Sequence, residues 1–306
     1  MPVGRRGFLE AALAAGASAL LGSGAAAAGE ARQEGRKMSS GGAGKIGERR
    51  MPVVFIGHGS PLNAIEDNRW SRGFRALATA LPQPRAILAV SAHWYLEGTF
   101  TTANPRPDTI HDFGGFPDAL YQVRYPAPGD PALAQRVVDL LAGRRAGLSL
   151  KWGLDHGTWS VLVHLRPAAD VPVVQLSVDG RLPPADHLAI GRALAPLRDE
   201  GVLILGSGNV VHNLRHAFSA AQAGVTTPPD WARTFDEQTR DALARGDHHA
   251  LAGALESAAG RLSHPTPDHY LPLLYAAGAS APGEAVRFPM EGFDLASISM
   301  RSVVFG

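Results

Sequence analysis

Four short apolar runs limit how this chain can fold: MPVVFIG at 51–57, RAILAVSAHW at 85–94, VPVVQLSV at 171–178 and GVLILGSGN at 201–209. Each is near-continuously apolar and rich in β-branched residues, which is the pattern of a strand buried on both faces. Between them, apolar residues recur every three or four positions over 69–81, 131–142 and 185–199, the spacing of amphipathic helices. A further helical stretch covers 231–259. Strands that alternate with helices require crossover connections, so the expected fold is α/β: one domain over 51–306 with a central, mostly parallel sheet flanked by helices. Residues 98–130 break the pattern. They are rich in Gly, Pro and aromatics around IHDFGGFPDALYQVRYPAPG, and read as a long irregular loop at a site.

The first fifty residues do not read as part of that domain. Arg5 and Arg6 precede Phe8 and Leu9, an Ala/Gly/Leu run follows, and small residues close it at Ala26–Ala28. This layout is that of a twin-arginine signal peptide over 1–28, too rich in Ala and Gly for stable membrane insertion. Residues 29–50 are polar and glycine-rich and read as a flexible leader. The expected destination is the periplasm. Residues 1–28 carry +1 and 29–50 carry +3, so the chain's formal +1 leaves −3 for the body, a balance that argues against nucleic acid as a partner. There is no cysteine, so any metal must be held by histidine, carboxylate or water.

The histidines fall into place on this map. His58 follows the first predicted strand in GHGSP, His93 ends the second in SAHW, and His212 lies just past the fourth in GSGNVVHN. All three sit at the carboxyl ends of strands, where open parallel sheets build their sites, a concentration not expected by chance among 12 histidines. Imidazoles from separate strands suit a divalent transition metal. His111 in IHDFGGF and His156 in DHGTW come from predicted loops and are candidates for substrate contact and catalysis. His264 and His269 flank the prolines of HPTPDHYLPLLY, a stiff segment suited to aiming a ring. His164, His187, His216, His248 and His249 read as surface or packing residues.

The motifs GHGSP, SAHW, IHDFGGFP, DHGTW, GNVVHN and PTPDHYLPLLY resemble, in order and spacing from about Pro52 onward, the class III extradiol ring-cleavage dioxygenases, and among them the 4,5-DOPA dioxygenase branch. The resemblance implies that His58, His93 and His269 bind the metal, with His212 either a further ligand or the acid/base beside it. It implies Fe(II) for activity, although an all-histidine shell also suits Zn(II). The implied reaction is opening of a catechol ring, DOPA or a relative, by O2. His212 and His156 are the expected catalytic pair, with His111, Trp94, Phe113 and Tyr270 against the substrate, and Phe116 and Trp159 as further aromatics. Arg106, Arg124 and Asp112 are candidate partners for charged groups of the substrate. A monomer is expected. Two rival readings are a zinc-dependent hydrolase on the same histidines and a metal-bearing binding protein without catalysis.

Overall fold

The computed structural model describes residues 50–306. The expected signal peptide and all of the expected leader except Arg50 lie outside the described residues. Arg50 itself pairs with Asp199, at 3.4 Å.

Among the described residues ten strands follow in chain order: β1 Val53–Gly57, β2 Ala86–Leu96, β3 Phe100–Thr102, β4 Gly147–Ser149, β5 Val173–Asp179, β6 Val202–Gly208, β7 Val286–Met290, β8 Phe293–Asp294, β9 Ile298–Ser299 and β10 Ser302–Phe305. Eight form one sheet in the order β4-β3-β5-β2-β6-β1-β10-β7, while β8 and β9 form a separate hairpin. The four runs singled out in the sequence are its centre. β5, β2, β6 and β1 pair in parallel, and antiparallel strands flank them at both ends. The sheet is mostly parallel, as the alternation required.

Neighbouring side chains on each central strand go to opposite cores. Val53 and Phe55 pack into one, with the helices Pro184–Leu194 and Leu271–Ala279. Val54 and Ile56 pack into the other, with the helices Arg69–Ala80 and His156–Leu165. Burial on both faces explains why these strands read as continuous apolar runs.

Three expectations need correcting. The stretch 231–259 is not one helix. It breaks into Asp230–Arg245, His248–Gly253 and Ala258–Ser263. The first break falls at Gly246, whose φ of 65° is left-handed, and Asp247 caps the next helix by accepting from Ala250 N at 2.9 Å. His156 is not in a loop: it is the first residue of a helix that Asp155 caps. His93 does not end its strand, since β2 continues to Leu96.

Candidate metal centre

The irregularity in β2 is what aims His93. Between Val90 and Tyr95 this strand advances five residues while its partner β5 advances only two, from Leu176 to Val178. The pairing with β6 also stops at Ser91. His93 therefore sits in a bulge, the usual device for redirecting a side chain at a site. His58 follows β1 directly, with its N–H bonded to Gly208 O at 3.0 Å. His269 precedes the helix Leu271–Ala279. Its carbonyl accepts from Asn209 N at 2.9 Å, and a Cβ on Gly208 would lie 2.1 Å from that carbonyl. Glycine at 208 is thus what lets the His269 segment lie against the end of β6.

These elements converge five imidazoles. His58 Nε2 and His93 Nε2 are 3.2 Å apart. The His93 ring centroid lies 3.8 Å from that of His156 and 5.0 Å from that of His269. The tightest set of nitrogens belongs to His58, His93 and His156, all within 4.8 Å of one another. His156, expected beside the metal, therefore stands as close to the centre as the expected ligands do. His212 stacks on His269 with centroids 3.4 Å apart and planes 5° from parallel. Their lone pairs lie in parallel planes, so the two rings share no point of coordination in this arrangement.

The second nitrogen of each ring fixes which one faces inward. Ser207 Oγ donates its one proton to Gly157 O, so it accepts from His58 Nδ1 at 3.0 Å. Asp112 Oδ2 accepts from His156 Nδ1 at 3.0 Å and lies 3.2 Å from His93 Nδ1, while its Oδ1 accepts from His156 N at 2.9 Å. Asp268 Oδ2 accepts from His269 Nδ1 at 2.7 Å. A carboxylate cannot donate, so in each neutral ring Nδ1 carries the proton and Nε2 keeps its lone pair. Two bare nitrogens at 3.2 Å repel unless a cation lies between them. That spacing suits two ligands sharing one ion at about 2.0–2.1 Å each. The donor set fits a divalent transition metal.

Electrostatics agree. Burial, reinforced by the neighbouring histidines, holds His58 well below the ordinary imidazole range. Burial also lowers His156, His212 and His269. His93 is the exception: burial pulls it down, but the Asp112 carboxylate outweighs this and raises it. Asp112 and Asp268 resist the upward push of burial and stay ionised because their histidine partners hold them low. Beneath the cluster, buried Asp155 accepts from Ser91 Oγ at 2.7 Å and from Gln175 Nε2, tying β2, β5 and the His156 helix together.

The histidines open into a cavity of about 220 Å³ whose lining includes Phe113, Phe116 and Phe218. Three expected substrate contacts do not reach it. Trp94 is buried on the opposite side of β2 from His93, stacked on Trp152 at 5.5 Å, because adjacent strand residues point to opposite faces. Tyr270 is fully buried, with its hydroxyl donating to Leu251 O at 3.0 Å. His111 bonds Val123 O at 3.1 Å and stands behind Phe113, whose ring centroid is 5.7 Å from its own. Trp159 is also buried, with its Nε1 donating to Ile110 O at 2.8 Å. Arg124 donates to Tyr121 O and Val123 O, and Arg106 is exposed, so neither lines the cavity. Asp112, considered for the substrate, serves two rings instead. His264 stays outside the cluster, with Nε2 bonded to Val210 O at 2.7 Å. Phe218 and Asp294 line the cavity and were missed. Phe218 could have been suspected from its position six residues past His212. Nothing local marks Asp294.

The family described as the catalytic LigB subunit of aromatic ring-opening dioxygenase matches residues 52–306. Over 261 residues the chain is 51% identical to a 4,5-DOPA dioxygenase extradiol of Escherichia coli (strain K12), covering 84% of this chain and 95% of that protein. Over 260 residues it is 39% identical to a Beta vulgaris protein of the same name, covering 83% and 96%. The crystal structure of an uncharacterized protein from Escherichia coli K12 superimposes with a TM-score of 0.74 at 45% identity, covering 84% of this chain and all of that one.

Proposed function

The chain belongs to the LigB family of aromatic ring-opening dioxygenases, and from that premise we propose that this extradiol enzyme opens the ring of DOPA or a closely related catechol with O2 on a ferrous ion. The observation that carries the reading is the cluster of His58, His93 and His156, whose nitrogens lie within 4.8 Å of one another, with the His269 ring 5.0 Å from that of His93 and each ring's Nδ1 held by a protein acceptor.

His58, His93 and His269 are the proposed ligands, and His156, its ring 3.8 Å from that of His93, would hydrogen-bond the substrate. When bound, the ion supplies the charge that makes catechol deprotonation accessible near neutral pH and couples the ring to O2. His212 has its ring edge at the cavity, and burial keeps it neutral near pH 7. A neutral imidazole there accepts the proton of the second hydroxyl and returns it after ring opening. Phe113 and Phe116, 5.2 Å apart and edge to face, form an apolar wall for the ring.

Anaerobic loading of the purified chain with Fe(II), followed by L-DOPA and then O2, should give oxygen uptake matched by a yellow ring-opened product. A stoichiometrically filled site that consumes no O2 with any catechol would overturn the reading. Zinc suits the same nitrogens, so a zinc-loaded sample assayed without O2 tests the hydrolase alternative.

The twin-arginine leader would carry this chain folded and already loaded to the periplasm, as a monomer. Cell fractionation with N-terminal sequencing tests the export, and light scattering tests the monomer. Recovery in the cytosol with the leader uncut would refute it. Among the described residues no helix is long and apolar enough to cross a membrane.

A further inference from the structure

The cavity beside the histidines is unevenly charged. Besides imidazoles, Ser60 and apolar groups, its lining carries two acidic side chains, Asp112 and Asp294, and among the described residues no lysine or arginine. Asp112 is committed to His93 and His156. Asp294 is not committed. Its Oδ1 accepts from the adjacent Leu295 N at 3.0 Å, and it makes no ion pair among the described residues. Burial and, more weakly, the nearby Glu66 push its carboxyl up, while Arg69, which opposes them only through space, stacks over Trp70 at 3.8 Å and donates to Glu291 O at 3.1 Å. A half-buried carboxylate without an ion-pair partner is costly unless a ligand completes it.

The position of Asp294 is built. It lies in the β8–β9 hairpin opposite Ile298, and Ile298 forms a bridge to His212. Residues directly opposite one another share a face, so Asp294, Ile298 and His212 all turn toward the cavity. Two cross-strand steps of roughly 4.5–5.5 Å put the Cα of Asp294 about 10 Å from that of His212. A catechol ring with a short side chain spans a gap of that order. The hairpin turns through Leu295 and Ala296, at φ 45° and 60°, two successive non-glycine residues in the left-handed region. Ser297 Oγ donates to Asn213 O at 3.0 Å, and Ser299 N donates to Val211 O at 2.9 Å, fastening the hairpin to the loop that carries His212. Strained backbone held by surrounding bonds is characteristic of ligand clamps.

We propose that Asp294 determines specificity by pairing with a cationic nitrogen on the side chain of the catechol, so that amine-bearing catechols are favoured over those whose only tail charge is a carboxylate. This rests on the catechol-cleaving reading above and narrows it. A carboxylate tail would meet a like charge and no lysine or arginine of the lining, which is discrimination by an unpaired charge. DOPA, which carries both groups, enters with its ammonium toward Asp294.

The test compares kcat/KM of the Fe(II)-loaded full chain for dopamine, 3,4-dihydroxyphenylacetate and uncharged 4-methylcatechol. Dopamine should exceed the acid by about tenfold, the scale of one hydrogen bond to a charged group. Asp294→Asn keeps the acceptor for Leu295 N and removes the charge, and it should erase that ratio, mainly through KM. Asp294→Lys should invert it. An amine-to-acid ratio that is the same in wild type and Asp294→Asn overturns the proposal. Turnover of 4-methylcatechol reports on the ring-opening reading separately. If no catechol is turned over, that reading fails, and anaerobic calorimetry of dopamine and the acid against the zinc-loaded chain still decides the role of Asp294: tighter amine binding lost in Asp294→Asn supports it, and equal affinities refute it.

Discussion

Asp112 holds two rings on one oxygen, and its other oxygen takes the backbone N–H of His156. Asp112→Asn leaves one acceptor oxygen for three donors: the amide NH2 must face either both imidazole N–H groups or the His156 backbone N–H, so donor meets donor either way. Carboxylates behind ligating histidines are worth about 10–100-fold in metal affinity, and chelator competition should show a loss in that range. Unchanged affinity would mean the bridge is incidental. His212 makes the opposite prediction. It stacks on His269 without sharing a coordination point, so His212→Ala should cut kcat by about 10²–10⁴, the range for a general base, while metal content stays near that of wild type. Loss of the metal would reassign His212 as a ligand. Sequence spacing exposed the histidines because motif and strand end coincide. It could not expose the roles of Ser207 and Asp112, whose bonds to His58 and His156 cross 149 and 44 residues. Trp94 and Tyr270 depart from expectation for the converse reason: they adjoin His93 and His269 in sequence but not in space, since strand alternation and burial send both rings elsewhere.

Each histidine is aimed by an element boundary. The helix His156–Leu165 begins beside the β2 bulge, and Gly157 is where the two touch: a Cβ there would lie 2.5 Å from Ser91 Oγ and 2.8 Å from His93 Cδ2. Gly157→Ala should therefore cost about 1–3 kcal/mol in denaturant unfolding, as overpacking does, and should weaken metal binding by moving His93. A stable variant with normal affinity would show that the bulge absorbs the change. The central strands were legible to within about two residues, because burial on both faces leaves continuous apolar runs with sharp ends. The helices His156–Leu165 and Leu271–Ala279 were not. Every residue of the latter is buried, so no polar face marks a helical period. The antiparallel edges also escape the pattern, since β3, β4, β7 and β10 are short, and β3 and β10 join the sheet on β5 and β1, strands distant in sequence.

The whole molecule encloses its site between two apolar layers, and that enclosure makes stability depend on pH through histidines that never touch the metal. His187 is fully buried beside Tyr275, its Nδ1 3.0 Å from the hydroxyl and its Nε2 without a partner. His264 is buried against Val210 O with Nδ1 unpartnered. Burial pushes each down to about 4. In the unfolded chain both return to about 6.5, so between those values the unfolded state binds more protons and stability rises with pH. The contribution is complete above pH 6.5 and is lost progressively as pH falls toward 4, on the order of 3 kcal/mol for each ring once both limits are passed. Ordinary carboxylates titrate near 4, so the first part of the loss, between pH 6.5 and about 5, belongs to the histidines. Denaturant unfolding of the chelator-treated chain across that window should show the decline, and replacing His187 with Asn should make it shallower by that ring's share, the rest coming from His264 and the lowered imidazoles of the metal-free centre. A profile that is level from pH 6.5 to 5, or one the substitution leaves unchanged, would show that water reaches these rings and that the two layers do not seal them.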